Sequence, residues 1–139
     1  MTEDVRVTIG SDIILVGEDE FEVDGIPYIQ DGTDSTLVPL RFVAVAILGG
    51  DVEDADTSSF IKWDSAEKAA TIIAGGKEIV FTAGSNVALV DGEETPIDNG
   101  AFAEITDSRM YVPFRMIGRL LGADVDWDSA TKTAIYLVK

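Results

Sequence analysis

Two runs of carboxylates, GEDEFEVD at positions 17–24 and DVEDADTSS at 51–59, hold the densest potential for chemistry in this chain. Calcium takes about six to eight oxygens, often from alternating acidic positions. Asp54, Asp56 and Ser58 alternate, but counting from Asp54 the sixth residue is Ser59, not glycine, and the twelfth is Ser65, not glutamate. The helix–loop–helix calcium loop is therefore not written here. Asp51, Glu53, Asp54 and Asp56 read as solvated loop, with a weak calcium site as the functional alternative and no other cofactor expected. The chain has no histidine and no cysteine. Imidazole or thiolate sites for zinc or copper, a Ser-His-Asp triad and disulfides cannot be built from it. Its 26 acidic residues offer many carboxylate pairs for glycoside hydrolysis, but no spacing singles one out. AGGK lacks the strand–GxxxxGK[ST]–helix frame of a phosphate loop. No catalytic residue is expected, and the chain reads as a non-enzyme.

Arginines and aromatic rings are the remaining handles. Arg41 and Arg115 each stand just inside a helix start, in VPLRFV and VPFRMI. A cation there opposes the helix dipole by roughly 0.3–1 kcal/mol. Asp64 and Asp128 recur in matching positions, so Arg41–Asp64 and Arg115–Asp128 are expected as buried ion pairs that pin the helix starts. An anion-binding role is the alternative. Tyr28, Phe60, Trp63, Tyr111 and Trp127 are candidates for a ligand-facing, sugar-stacking platform. Trp63 and Trp127 sit between charged neighbours in short strands and read instead as core.

These residues are positioned by a repeat. Gly10–Arg41 aligns with Gly84–Arg115 at a constant offset of 74, and WDSAEKAATI at Trp63 then faces WDSATKTAIY at Trp127. The first copy carries ten extra residues, mostly EDADTSSF. VRVTIG, DIILVG, KEIVFTAG and NVALVDG are strand signals ending in turn residues. A short strand is expected around Tyr28 and Phe102. Pro39 and Pro113 suit a first helical position, and Gly49 and Gly122 suit left-handed helix caps. DVDW and TAIYLV form a hairpin across Asp128–Thr131, and Gly75-Gly76 suits a two-residue hairpin turn. The fold class is α+β: two pseudo-twofold-related β-rich units, about 5–74 and 77–139, each with one helix on a mostly antiparallel sheet. Together they make a single domain, 1–139.

The first helix, FVAVAILGG after Arg41, is apolar on every face, and Val45 stands where the second has Arg119. A helix apolar all round is covered. Either the insertion folds back, with Phe60 near Val45, or Val45 lies in an exposed apolar interface.

A net charge of −16 argues against nucleic acid and anionic membrane surfaces. The longest uncharged apolar stretch, 42–50, is too short to cross a bilayer, so no membrane insertion is expected. MTEDVRVTIG is not a signal peptide, which leaves a cytoplasmic protein or a module of a longer exported chain.

LVPLRFV, YVPFRMI, LLGADVDWD and SATKTAIYL, in two tandem copies, resemble the copper amine oxidase N-terminal-like (stalk) domain family. The resemblance implies a non-catalytic α+β module of a secreted or cell-surface bacterial protein, structural or spacer-like or protein-interacting. Its implied partners are other domains of the same exported polypeptide or a surface protein. A carbohydrate- or cell-wall-binding module, with wall polysaccharide as partner, is the alternative. The first copy departs from the family pattern by its insertion and its apolar helix.

Overall fold

In the computed structural model, the described residues are 4–23, 25–49, 61–74, 76–97, 100–106 and 108–137. The first half runs β1 (Asp4–Thr8), β2 (Ile13–Val16), β3 (Asp19–Glu22), β4 (Tyr28–Ile29), β5 (Thr36–Pro39), α1 (Leu40–Ile47), β6 (Ile61–Asp64) and β7 (Ala69–Ala74). The second runs β8 (Lys77–Thr82), β9 (Val87–Val90), β10 (Glu93–Pro96), β11 (Glu104–Thr106), β12 (Arg109–Pro113), α2 (Phe114–Leu120), β13 (Asp124–Asp128) and β14 (Thr133–Leu137). The class is α+β, mostly strand with two short helices.

Three antiparallel sheets form. One is a contiguous meander, β6-β7-β8-β9-β10. The second has the order β13-β14-β1-β2-β3, so the two ends of the chain close it. Asp4 lies opposite Leu137 and Thr8 opposite Thr133. The third, β11-β12-β5-β4, is centred on β5 and β12, with Val38 opposite Val112. Neither five-stranded sheet belongs to one sequence repeat. The hairpin of each repeat pairs with the first strand of the other.

The turns explain the registers. Asp91 and Gly92 both have positive φ, 52° and 85°, which gives the turn twist that matches flanking strands between Val90 and Glu93. Both helices end as their glycines require: Gly49 and Gly122 have φ of 79° and 84°. At α2 the Gly122 N–H bonds to the Arg119 carbonyl (3.1 Å) and the Ala123 N–H to the Gly118 carbonyl (2.9 Å), a Schellman closure. The prolines differ from expectation by one position. Pro39 and Pro113 are extended (φ −66°, ψ 114° and φ −59°, ψ 129°) and end β5 and β12, so each helix begins one residue later. A proline lacking its N–H is tolerated there because the helix start has spare donors. Tyr28 lies on β4 as expected, whereas Phe102 falls just before β11.

One cluster of buried side chains draws on all three sheets and both helices. It includes Val5 and Ile14, Ile72 and Phe81, Val38 and Val112, Val43 and Ile117. In α1 every residue but Arg41 is buried, as its all-apolar sequence predicts.

Candidate functional site

Asp64 and Asp128 do not pair with Arg41 and Arg115. Among the described residues the ion pair is Arg6–Asp4, at 3.2 Å. Both aspartates are exposed and each opens a tight turn. Asp64 Oδ1 accepts from the Ala66 and Glu67 N–H groups at 3.0 and 3.1 Å. Asp128 Oδ1 accepts from the Ala130 and Thr131 N–H groups at 3.0 and 3.4 Å. A carboxylate two or three residues from unpaired turn amides bonds them without ordering a long side chain, so the local partner wins. Arg115 is exposed, with its guanidinium over the Phe114 ring at 5.1 Å. Arg41 is half-buried.

Among the described residues the candidate aromatics do not share one face. Tyr28 meets Tyr111 at a tilt of 58°, centroids 5.1 Å apart, and Tyr111 is buried, its hydroxyl accepting from the Ile26 N–H at 3.1 Å. Trp127 is half-buried against Phe114 at 5.9 Å. Trp63, expected in the core, is 44% exposed. At the position aligned with Phe114, whose ring Trp127 meets, the first repeat holds Leu40.

The two tryptophans line two clefts. The first, about 220 Å³, is walled by Pro39, Arg41, Trp63, Ile105, Arg109 and Met110, with Phe42 beneath Arg109 at 5.1 Å. The second, about 270 Å³, is walled by Ile29, Asp34, Thr36, Pro113, Arg115 and Trp127. They correspond by the sequence repeat: Pro39, Arg41 and Trp63 in one stand for Pro113, Arg115 and Trp127 in the other. Ile105 lies opposite Met110 as Ile29 lies opposite Thr36. Each cleft combines the helix start and tryptophan of one repeat with the central-sheet strands of the other. Sequence reading picked out Arg41 and Trp63 singly but not their meeting with Ile105 and Arg109, which only the strand pairing brings about.

A buried polar network was also missed. Gln30 is 1% exposed. Its Nε2 donates to the Phe102 carbonyl (2.9 Å) and to Glu104 (2.8 Å). Its Oε1 accepts from the Thr33 hydroxyl (2.7 Å) and the Phe102 N–H (3.3 Å), which satisfies the whole amide. The Tyr28 hydroxyl donates to Glu104. Burial first, then this bond to the carboxylate, push the Tyr28 phenol up to about 12. Tyr136 donates to the Phe114 carbonyl at 3.0 Å, and burial raises its ionisation well above the tyrosine range. The network bridges β4 and β11, the two edges of the four-stranded sheet, and so curls that sheet. A lone glutamine in a loop gave no sequence signal for this.

The sequence matches the copper amine oxidase N-terminal domain over residues 56–136. The chain belongs to the copper amine oxidase N-terminal domain family. The matched range takes in the whole β6–β10 meander, the β11-β12-α2 segment and almost all of the last hairpin. The family's match is to the N-terminal domain of these oxidases, not to their catalytic domain. No curated protein and no solved structure matches the chain.

For this domain the remaining candidates resolve as follows. Val45 is 1% exposed and buried in the core, so it forms no exposed interface. Phe60, and with it the packing of the insertion on Val45, lies outside the described residues, as do the calcium candidates Asp51, Glu53, Asp54 and Asp56. Among the described residues no three acidic groups are gathered as metal ligands, and no helix is long and apolar enough to cross a membrane.

Proposed function

We propose that the chain is a non-catalytic module of a bacterial secreted or cell-surface protein, acting as a spacer or as a protein-interaction domain. The observation that carries this reading is the family match to an N-terminal, non-oxidase domain. A two-unit, pseudo-twofold build is part of the proposal. Its support is that positions equivalent in the repeat touch each other. Val38 pairs with Val112, and Gln30 bonds Glu104, both at the repeat offset of 74. Contacts between equivalent residues are what a twofold axis produces.

The carbohydrate-binding alternative has one support, the exposed indole of Trp63. Against it, the other described candidate rings are buried, packed on one another or in the second cleft, so no platform of adjacent rings forms among the described residues. The test uses the full-length parent protein on intact cells. Surface labelling should detect it. Replacing the module with an unrelated folded domain of similar span should preserve function if the role is spacing and abolish it if the role is interaction. A parent protein found only inside the cell would refute the reading.

A further inference from the structure

We propose that the Asp31-Gly32 step, in the loop between β4 and β5, is a site of spontaneous backbone modification, at which Asp31 closes to a succinimide and reopens as isoaspartate. The proposal stands independently of the function proposed above. In the first step the Gly32 nitrogen attacks the Asp31 side-chain carboxyl carbon. The N–Cγ bond forms, a Cγ–O bond breaks, and the oxygen leaves as water with the carboxyl and amide protons. Water then opens the ring. Addition at Cγ restores aspartate. Addition at the Asp31 main-chain carbonyl carbon leaves the backbone running through Cβ and Cγ and frees an α-carboxylate. The water lost in closing the ring is regained in opening it, so the mass is unchanged and water is the sole co-reactant.

Three observations carry it. First, both reacting groups are free. Asp31 and Gly32 are exposed. Among the described residues neither the Asp31 carboxylate nor the Gly32 N–H has a hydrogen-bond partner. Glycine brings no side chain to crowd the attack, and a Cβ at Gly32 would meet nothing within 4 Å, so the ring has room. Second, the other Asp-Gly step whose residues are both described is held in place. Asp91 Oδ1 accepts from the Glu78 N–H at 2.9 Å, and the Asp91 N–H donates to the Glu78 carbonyl at 2.8 Å. The Asp91 carboxylate must give up its bond before it can react. The two steps share one intrinsic chemistry and differ in how the carboxylate is held. Third, the loop bears on the buried network. The Asp34 N–H donates to the Gln30 carbonyl (3.0 Å), the Gln30 N–H to the Ser35 carbonyl (2.8 Å) and the Thr33 hydroxyl to Gln30 Oε1 (2.7 Å). An extra backbone carbon between Asp31 and Gly32 lengthens this closure and displaces Thr33 from Gln30, the residue that bonds Glu104 across the sheet.

The test incubates the whole chain, folded and in urea, in warm, mildly acidic buffer. Isoaspartate is then located by electron-transfer fragmentation of its peptides, which counts each position separately. Asp24-Gly25 and Asn99-Gly100, whose first residues lie outside the described set, are thereby kept apart from Asp31. In the folded protein isoaspartate should form at position 31 at least about tenfold faster than at 91, the rate equivalent of one hydrogen bond to a charged group. In urea the two rates should converge, because the Glu78 bond is gone. Equal rates in the folded protein, or a difference that urea leaves intact, would overturn the proposal. The isomerised chain, separated by ion exchange, should melt below the fresh protein, whereas Asp31→Glu incubated alike should keep its Tm. An unchanged Tm of the isomerised chain, or an equal loss in Asp31→Glu, would overturn the link to the Gln30 network.

Discussion

Gly118 lies in the middle of α2, where glycine costs about 1 kcal/mol in helix propensity relative to alanine. It is tolerated because a Cβ there would stand 2.6 Å from Tyr136 Cδ1 and Cε1 and from Val125 Cγ1. The ring cannot easily yield. Tyr136 is fully buried, packs edge-on against Phe114 at 5.8 Å and donates its hydroxyl to the Phe114 carbonyl at 3.0 Å. Gly118→Ala therefore sets an overpacking cost of about 1–3 kcal/mol against a propensity gain of about 1 kcal/mol. Three contacts at 2.6 Å place the cost in the upper part of that range, about 2–3 kcal/mol, so a net loss of about 1–2 kcal/mol is expected, or roughly 3–8 °C in Tm. The first repeat supplies the control. At the equivalent positions it holds Ala44 and Ile72, both buried. Tyr136→Ile alone should cost about 2–4 kcal/mol, through the lost ring volume and the lost hydroxyl bond to the Phe114 carbonyl. The double variant should cost less than the sum of the two by at least about 1 kcal/mol, since each change makes room for the other. Urea unfolding followed by circular dichroism reads all four proteins. A neutral or stabilised Gly118→Ala, or additivity within about 0.5 kcal/mol, would refute the packing argument.

Gln30→Ala should destabilise by roughly 2–4 kcal/mol in urea unfolding, because the Phe102 peptide and Glu104 lose buried partners. A loss under about 1 kcal/mol would show that water replaces the amide. Alkaline pH should also weaken the fold. Tyr28 ionises at about 12 in the folded chain against about 10 unfolded, so the native state binds more protons in that window. The contribution is complete below about pH 10 and is lost as pH rises toward 12. Tyr136 acts in the same direction. Tyr28→Phe should flatten the decline between about pH 10 and 11.5, and an unchanged slope would argue against the raised ionisation of Tyr28, set by its burial and its bond to Glu104.

Local patterns in the sequence determined the local structure. Alternating β-branched runs became strands, Asp91-Gly92 became a hairpin turn, and glycines after LG-type stretches ended helices, because these choices depend on φ, ψ and neighbours a few residues away. The all-apolar α1 had to be buried, and it is. The 74-residue offset aligned similar stretches of the sequence. It did not foretell which would touch. The exchange of hairpins between repeats, the closure of β1 on β14 and the bonding of Gln30 to Glu104 are long-range pairings, which identical local signals leave undetermined. The same limit explains the arginines. Matching positions of Arg41 and Asp64 suggested a pair, but Asp64 found its donors two and three residues away in its own turn. Tertiary structure alone decided that Trp63 lies beside Ile105 and Arg109, because that wall of the cleft comes from the far half of the chain.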